Sequence, residues 1–476
     1  MNPLIFGIFQ FIGPNGTVGA AWQSDRDTST DFTKLSYWIA LAEKFEAARL
    51  DFLFFGDAYG FPVLDGELLQ ASVREGRGVP QGDPMPLIGA LAAATRDLGF
   101  IVSVSTTVEP PAANARRFTT LDHFTDGRIG WNIVTGSSGE TAAALMGSEL
   151  ISHDVRYNMA DDYLDVNLTL WEASWTDSAL VLDKQRAVYA EPSGVRIVHH
   201  QGPYFRTDGI MNMPPSPQRT PLLVQAGSSV RGRQFAGRNA EMVFVTGGDP
   251  AAVAANVRGI RECAVAEGRP ANSIKIVVGA LFVTAPTSTE ARAKHAEMLS
   301  MSTPEGAAAV YAGTTGIDLL ALDPDKPITQ TRTEMGQSNL DRYLGKGGTP
   351  APLVRDVLEN LRQTGYNGNT FVGDPVEVAD QVQEFVELTD VDGMLILPHM
   401  TPETYDDFIE LLLPVFRDRG LARADYASSS SSNSELRLTL RERLFPGGTA
   451  HLPQTHRGQA FRADRDSSTG VKTGDR

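Results

Sequence analysis

The stretch GRIGWNIVTG, residues 127–136, decides the fold of this chain. It opens on the turn-forming pair Asp126 and Gly127 and then runs through a short apolar segment, which is typical of a buried strand. Asn132 and Thr135 are polar residues near the carboxyl end of the segment, where a parallel barrel holds its ligands. An ordinary core strand with a polar exit fits these residues equally well, so the rest of the chain has to decide between the two interpretations.

Length and composition narrow the class of protein. The chain has 476 residues, of which 42% are hydrophobic, enough for one large α/β barrel with insertions. The single cysteine, Cys263, excludes an internal disulfide framework and fits a reducing cytoplasm, where we expect the protein. The net charge of −16 argues against nucleic acid or an anionic membrane as a partner. No apolar run is long enough to span a membrane, and no basic segment precedes the first apolar run, so we expect no signal peptide.

Eight apolar, β-prone runs alternate with segments of helical spacing. This rhythm requires parallel strands joined by crossover helices, and eight strand–helix pairs are the number in a (β/α)8 TIM barrel. The predicted strands are residues 4–11, 51–55, 100–105, 127–136, 221–226, 242–245, 274–283 and 393–397. Asp31 is the expected N-cap of a helix at 32–49, and a long helix is expected at 159–175.

The chain divides into a barrel, residues 1–426, and a tail, residues 427–476. Insertions in the barrel are predicted at about 58–84, 137–157, 179–217 and 301–370, and the last of these is the candidate lid. The tail starts with a serine-rich linker and continues as a C-terminal arm, which could wrap around its own barrel or a sister subunit.

Several chemistries lack their sequence signatures. The histidines show neither the H-x-H nor the H-E-x-x-H spacing that would aim two imidazoles at one metal ion, so no metal is predicted. The G-x-S-x-G motif of serine hydrolases and the phosphate-binding loop of nucleotide triphosphatases are also missing.

Two motifs favour an anion instead. Ser228 and Ser229 follow a glycine at the end of the fifth strand and open a helix, where free amides and hydroxyls suit a phosphate. Serine is also simply a good N-cap, so the motif alone is weak. His153 and Tyr157 share one face if their segment is helical and could then reach one ligand, or they could be a capping histidine and a half-buried tyrosine.

Taken together, residues 127–135, the HDVRY motif at 153–157 and QAGSSVRGRQFA at 225–236 resemble the bacterial luciferase-like flavin monooxygenases. The similarity is to the branch of nitrilotriacetate, EDTA, pristinamycin-synthase and dibenzothiophene-sulfone monooxygenase large components. It implies a barrel that binds FMN as FMNH2, uses O2 as co-substrate and depends on a separate NAD(P)H:flavin reductase.

The resemblance also assigns site residues. The positions it places beside the isoalloxazine or its reactive edge are Asp57, Thr106 and Asn132, and those it places at the FMN chain and phosphate are His153, Tyr157, Ser228 and Ser229. Asn132 and Thr106 are the predicted catalytic residues, which would hold oxygen or the flavin edge by hydrogen bonds. Three phenylalanines in strands 1, 2 and 6 either line an apolar substrate pocket or are core residues: Phe9, Phe54 and Phe244.

The predicted activity is that of the oxygenase component of a two-component flavin monooxygenase, assembled as a homodimer or homotetramer. Strand-end carboxylates such as Asp57 and Glu109 disfavour a polyanionic substrate, so we expect an apolar, aromatic organosulfur or organohalogen compound and cleavage of its C–S or C–halogen bond. Three alternatives stay open: an aminopolycarboxylate monooxygenase, a deazaflavin-dependent oxidoreductase, and a non-catalytic flavin-binding barrel.

Overall fold

Eight parallel strands close into a barrel. The computed structural model describes residues 3–14, 19–136, 139–227, 229–333, 336–345, 350–365, 368–426 and 437–462. The strands are β1 (Ile5–Gln10), β2 (Phe52–Phe55), β3 (Gly99–Ser105), β4 (Ile129–Val134), β5 (Leu222–Ala226), β6 (Met242–Val245), β7 (Lys275–Thr284) and β8 (Gly393–Ile396). Each pairs in parallel with the next, and β8 pairs with β1, which closes the ring. The predicted TIM barrel is therefore confirmed, with strand ends within two residues of the prediction.

Helices surround the barrel and fill its insertions. They are α1 (Leu35–Ala47), α2 (Gln70–Glu75), α3 (Met85–Ala94), α4 (Pro111–Phe124), α5 (Gly139–Leu145), α6 (His153–Leu168), α7 (Val230–Asn239), α8 (Pro250–Ala266), α9 (Ser288–Ser300), α10 (Pro304–Thr315), α11 (Gln337–Asp341), α12 (Val354–Thr364), α13 (Pro375–Thr389), α14 (Glu403–Asp407), α15 (Leu413–Asp418) and α16 (Leu440–Leu444). α6 begins six residues before the predicted start at 159, and it continues into a π-helical turn, Thr169–Ala173. No helix among the described residues is long and apolar enough to cross a membrane.

The insertions contain structure of their own. Residues 58–84 hold a small hairpin, Val63–Leu64 with Glu67–Leu68, and α2. Two further hairpins lie within 179–217, and their strands are Leu180–Asp183, Val188–Ala190, Val198–Gln201 and Arg206–Gly209. The segment from 301 holds α10 to α12, and the unpredicted strand Gly368–Gly373 then pairs in parallel with the last part of β7.

Both faces of the barrel strands are buried. Along β3, Phe100 and Val102 pack toward the helices, whereas Ile101 packs inside the barrel. Side chains alternate between the two faces of a strand, and a sheet that is covered on both sides therefore carries continuous apolar runs. This is why the strands are visible in the sequence as uninterrupted apolar segments.

The C-terminal arm, residues 437–462, packs against the amino-terminal end of the barrel. Leu440 and Leu444 of α16 are fully buried and belong to the apolar cluster inside the barrel. The backbone N–H of Leu440 donates to the carbonyl of Gly127, just before β4. Arg441 forms an ion pair with Glu241 at 2.6 Å, and both side chains are only 2% exposed. The arm thus covers the end of the barrel opposite to the carboxyl ends of the strands.

A close approach of two helices predicts one stability effect. A Cβ atom added at Gly237 in α7 would lie 2.6 Å from the backbone carbonyl carbon of Cys263 in α8. Because the contact is with backbone, the two helices would have to move apart to accommodate it. We expect Gly237→Ala to lower the free energy of unfolding by about 1–3 kcal/mol, the usual cost of overpacking.

The matched control is Gly89→Ala in α3, where an added Cβ meets nothing within 4 Å. Because alanine is the better helix former, we expect this variant to gain about 0.5–1 kcal/mol. Urea denaturation of both variants measures the two effects. If the two variants had equal free energies of unfolding, the close contact between α7 and α8 would not contribute to stability.

Candidate active site

A cavity of about 620 Å³, including its open mouth, lies at the carboxyl ends of β2, β3 and β4. Its lining combines strand ends with the residues around α5, and includes Asp57, Ser105, Val134 and Arg156. Gly136 lies next to Arg156 of α6 in the cavity wall: a Cβ added at Gly136 would be 3.9 Å from Cδ of Arg156. This is the end of a parallel barrel at which active sites are found.

Asp57 lies two residues past β2, and its carboxyl group is unusually basic. Burial and then the nearby charge of Asp83 raise the pKa of Asp57 to about 7. Tyr59 lies beside it and donates to Glu109 over 3.3 Å, and Glu109 is held by Arg117 at 2.6 Å. The charge of Glu109 is therefore balanced by Arg117, whereas the carboxyl group of Asp57 changes charge near neutral pH.

The raised pKa of Asp57 gives a pH dependence of stability. The native state favours the protonated carboxyl, so this contribution is fully present below its ordinary value of 3.8 and is lost as the pH rises through about 7. We expect Asp57→Asn to become more stable than the wild type as the pH increases over this range, by about 1–2 kcal/mol after allowance for partial solvent access.

Urea midpoints from pH 4 to pH 9 measure this difference. The matched control is Asp25→Asn, the same substitution at an exposed aspartate that does not line the cavity. A constant difference between Asp57→Asn and the wild type at every pH would contradict the assignment.

Asn132 faces the interior of the barrel from β4. It is 3% exposed, and its Nδ2 donates to Oγ of Ser103 on β3 at 2.8 Å. Its Oδ1 is buried without a hydrogen-bond partner among the described residues. Val134 lines the cavity from the same face of β4, so Asn132 lies directly beneath the cavity floor.

Thr106, the other predicted catalytic residue, directly follows the last residue of β3. It is 1% exposed, it is not among the residues that line the cavity, and its Oγ1 donates to the carbonyl of Val134 at 3.4 Å. The neighbouring Ser105 and Thr107 line the cavity instead, with their hydroxyl oxygens 2.9 Å apart. Because side chains alternate along a strand, the hydroxyls that reach the cavity belong to the residues on either side of Thr106.

Two of the predicted phosphate residues, Tyr157 and Ser229, come together at the amino terminus of α7. Ser229 is the N-cap, and its Oγ accepts a hydrogen bond from the backbone N–H of Gly232 at 3.0 Å. A Cβ at Gly232 would lie 2.8 Å from the hydroxyl oxygen of Tyr157 and 3.1 Å from Oγ of Ser229, so the two hydroxyls meet over this glycine. Ser228 lies outside the described residues. Free amides, two hydroxyls and the helix dipole together suit a phosphate.

Tyr157 and His153 reach this point from the first turns of α6. Burial raises the pKa of Tyr157, whereas its hydrogen bonds with Thr135 and Ser229 act in the opposite direction. Its ring centroid lies 5.2 Å from that of His153 and 5.4 Å from the guanidinium of Arg231. The helical geometry that would place His153 and Tyr157 on one face is thus present, and Arg231, which also forms an ion pair with Asp161, brings a positive charge to the Tyr157 ring.

The three phenylalanines form one aromatic cluster inside the barrel. The ring centroid of Phe9 lies 5.6 Å from that of Phe54 and 5.8 Å from that of Phe244. Phe11 packs edge-on against Phe9 at 5.0 Å and is 37% exposed. The cluster therefore extends from the interior to the surface at the carboxyl end of β1.

The polar groups available here fit a flavin better than a metal. Because Gly232 has no Cβ, the hydroxyls of Tyr157 and Ser229 come close to its backbone, and Oδ1 of Asn132 is a buried acceptor without a partner among the described residues. Across the part of the chain that the structure describes, no three His, Cys, Asp or Glu side chains are grouped as a metal site would require. These features are those of a parallel α/β-barrel enzyme with its site at the carboxyl ends of the strands.

The chain belongs to the luciferase-like monooxygenase family, whose model matches residues 6–393. Dimethyl-sulfide monooxygenase of Hyphomicrobium sulfonivorans is 35% identical over 93% of this chain and 90% of that protein. Long-chain alkane monooxygenase of Geobacillus thermodenitrificans (strain NG80-2) is 36% identical over 93% of this chain and 94% of that protein. A crystal structure of riboflavin lyase with modified FMN and riboflavin has 42% identity and a TM-score of 0.90, and the match covers 97% of this chain and 100% of the other.

The family assignment gives the class of activity. The chain is an enzyme of the luciferase-like, flavin-dependent monooxygenases. The predicted branch is confirmed, because its dibenzothiophene-sulfone, nitrilotriacetate and pristinamycin members are among the relatives.

Proposed function

We propose that the protein is the oxygenase component of a two-component system, which uses reduced FMN and O2 to oxidise an apolar, aromatic compound. The favoured substrates are organosulfur or organohalogen compounds, with cleavage of the C–S or C–halogen bond. The observation that carries this proposal is the aromatic cluster of Phe9, Phe54 and Phe244, in which Phe9 stacks on Phe244 and Phe54 is tilted against both, since aromatic side chains are suited to bind an apolar, planar molecule.

The anion cradle supports FMN as the cofactor. Ser229 and Tyr157 bring hydroxyls to the amino terminus of α7, where a phosphate dianion is stabilised. The bound reduced flavin supplies the activation of oxygen, and the protein holds the ring and excludes water. We propose that an NAD(P)H:flavin reductase delivers the reduced cofactor, and the name of one relative, nitrilotriacetate monooxygenase component A, supports a system of several components.

Charge argues against an aminopolycarboxylate substrate. The cavity lining contains the carboxylates Asp57 and Glu149, and its one basic side chain among the described residues is Arg156. A substrate with several carboxylates would need more cations than that. Relatives named for dimethyl sulfide and dibenzothiophene sulfone support the organosulfur class.

Riboflavin is a second candidate substrate. The relative with 42% identity is a riboflavin lyase whose structure contains riboflavin as substrate. Its tricyclic ring is planar and aromatic, and riboflavin carries no net charge, so it meets the same requirements as the sulfur compounds.

Oxygen uptake by the purified chain tests these proposals. FMN is reduced chemically, or by an unrelated flavin reductase with NADH, and the panel contains dibenzothiophene sulfone, dimethyl sulfide, a chlorinated aromatic, riboflavin and nitrilotriacetate. We expect substrate-dependent oxygen uptake with an aromatic compound and a new product by mass spectrometry. Turnover of nitrilotriacetate alone, or turnover with a reduced deazaflavin but not with reduced FMN, would overturn the proposal.

A matched pair of variants isolates the aromatic cluster. Phe244→Ala should reduce kcat/KM for the aromatic substrate at least tenfold, the order expected when an aromatic contact of about 1.5 kcal/mol is lost. Phe282 on β7 packs toward the helices, so Phe282→Leu is the control for stability alone. Neither variant should change the affinity for FMN at the phosphate end.

A further inference from the structure

The hydroxyl of Ser103 determines which way the amide of Asn132 points. Its Oγ lies 2.9 Å from the backbone carbonyl oxygen of Phe55 and 2.8 Å from Nδ2 of Asn132. A serine hydroxyl has one proton, and a carbonyl oxygen can only accept. The proton therefore goes to Phe55, and Ser103 must accept a hydrogen bond from Asn132. Only the nitrogen of the amide can donate that bond, so Nδ2 faces Ser103 and Oδ1 faces away from it.

The other end of the amide is left as a buried acceptor. Oδ1 of Asn132 has no partner in the described part of the chain, and the residue is 3% exposed. Leaving such a group unsatisfied is unfavourable, and a ligand with an N–H or O–H group would recover the lost hydrogen bond. Val134 follows Asn132 by two residues on β4, so its side chain lies on the same face of the strand, and it lines the cavity. The ligand that satisfies Oδ1 would therefore enter from the cavity.

We propose that Ser103 is a positioning residue that makes Asn132 a hydrogen-bond acceptor toward the flavin, so that the site prefers reduced over oxidised flavin. The reduced ring carries an N–H group at a nitrogen that has only a lone pair in the oxidised ring. An acceptor attracts the first and repels the second. This inference rests on the proposed use of FMN, and it makes the predicted hydrogen bond between Asn132 and the flavin edge specific, with Asn132 as the acceptor.

The preference is measured by binding and needs no turnover. Dissociation constants for oxidised FMN in air and for reduced FMN under anaerobic conditions are determined by titration for the wild type and two variants. In Ser103→Ala the amide is free to rotate, and we expect the ratio of the two constants to fall about tenfold, which is about 30 mV in the potential of the bound two-electron couple. Ser103→Thr keeps the hydroxyl and should keep the ratio.

Each outcome separates the two proposals. If Ser103→Ala weakens both forms equally, or leaves the ratio unchanged, Ser103 has no role in the preference and the inference is overturned. If the wild type binds neither form of FMN, the proposed function fails and the inference fails with it. Should Ser103→Ala not fold, Asn132→Leu, which keeps Ser103 and removes the acceptor, must lose the same tenfold preference for the inference to stand.

Discussion

Arg441→Ala is expected to lower the free energy of unfolding by about 3–5 kcal/mol, the cost of leaving a buried charge without its partner. The guanidinium contacts both carboxylate oxygens of Glu241, at 2.6 and 2.9 Å, and also donates to the carbonyl of Thr220 at 2.9 Å. Without it, a carboxylate that is 2% exposed would remain with the N–H of Leu223 as a donor. Urea denaturation at pH 7 measures the loss.

The pH dependence identifies the cause of this loss. Burial tends to raise the pKa of Glu241, but the charge and hydrogen bonds of Arg441 outweigh it, so the net shift is downward. A lowered pKa means that the pair contributes stability above the ordinary value of 4.5, and that this contribution is lost as the pH falls through the value in the folded protein. The difference between Arg441→Ala and the wild type should therefore shrink in acid.

Two controls accompany this prediction. Arg437 is an exposed arginine of the same arm, and Arg437→Ala should change stability by less than about 0.5 kcal/mol. The double variant Arg441→Met with Glu241→Leu replaces both charges and should recover most of the loss. A single variant as stable as the wild type would show that the arm does not hold the barrel.

Tyr157→Phe is expected to weaken FMN binding about 10- to 100-fold, because a hydrogen bond to a charged group contributes about 1.5–3 kcal/mol. The hydroxyl oxygen of Tyr157 lies 2.8 Å from the position that a Cβ of Gly232 would occupy. It also forms a hydrogen bond with Ser229, the N-cap of α7. Fluorescence titration gives the dissociation constant. Lumiflavin has the ring without the phosphate, so its affinity should be unchanged by the substitution.

Tyr163→Phe is the control for this variant. Tyr163 lies on the same helix, is fully buried, and its hydroxyl has no hydrogen-bond partner among the described residues. Its loss should leave FMN affinity unchanged. If Tyr157→Phe weakened the binding of lumiflavin as much as that of FMN, the amino terminus of α7 would not be the phosphate site.

Much of the barrel could be predicted because its strands are buried on both faces, which makes them visible as apolar runs. The strand Gly368–Gly373 could not, because it begins with Gly368 and Asn369, residues typical of turns. Its pairing with β7 depends on contacts between distant segments. The N-cap of α1 is Lys34, since Asp31 lies in the 3-10 turn Ser29–Thr33 that precedes the helix.

The site was predictable to the extent that it lies on regular elements. Tyr157 and Ser229 are on or beside helices whose spacing is visible in the sequence, and the structure brings them together. The orientation of Thr106 could have been predicted, because side chains alternate between the two faces of β3. Ile101, Ser103 and Ser105 share the face that turns inward, so the next residue, Thr106, points the other way. The part of the cavity around α5 was not predictable, because it depends on how two insertions meet: the hydroxyl of Thr141 bonds both the N–H and the carbonyl of Phe61.

The position of α16 bears on the order in which the protein is made. A ribosome adds residues from the amino terminus, so all eight strands are synthesised before Leu440 and Leu444, which complete the apolar interior. We therefore expect a nascent chain that ends at residue 426 to leave that interior open to solvent and to bind an apolar dye such as anilinonaphthalene sulfonate, whereas one that extends past residue 462 should not. Equal dye binding by the two would mean that the barrel closes without its last segment.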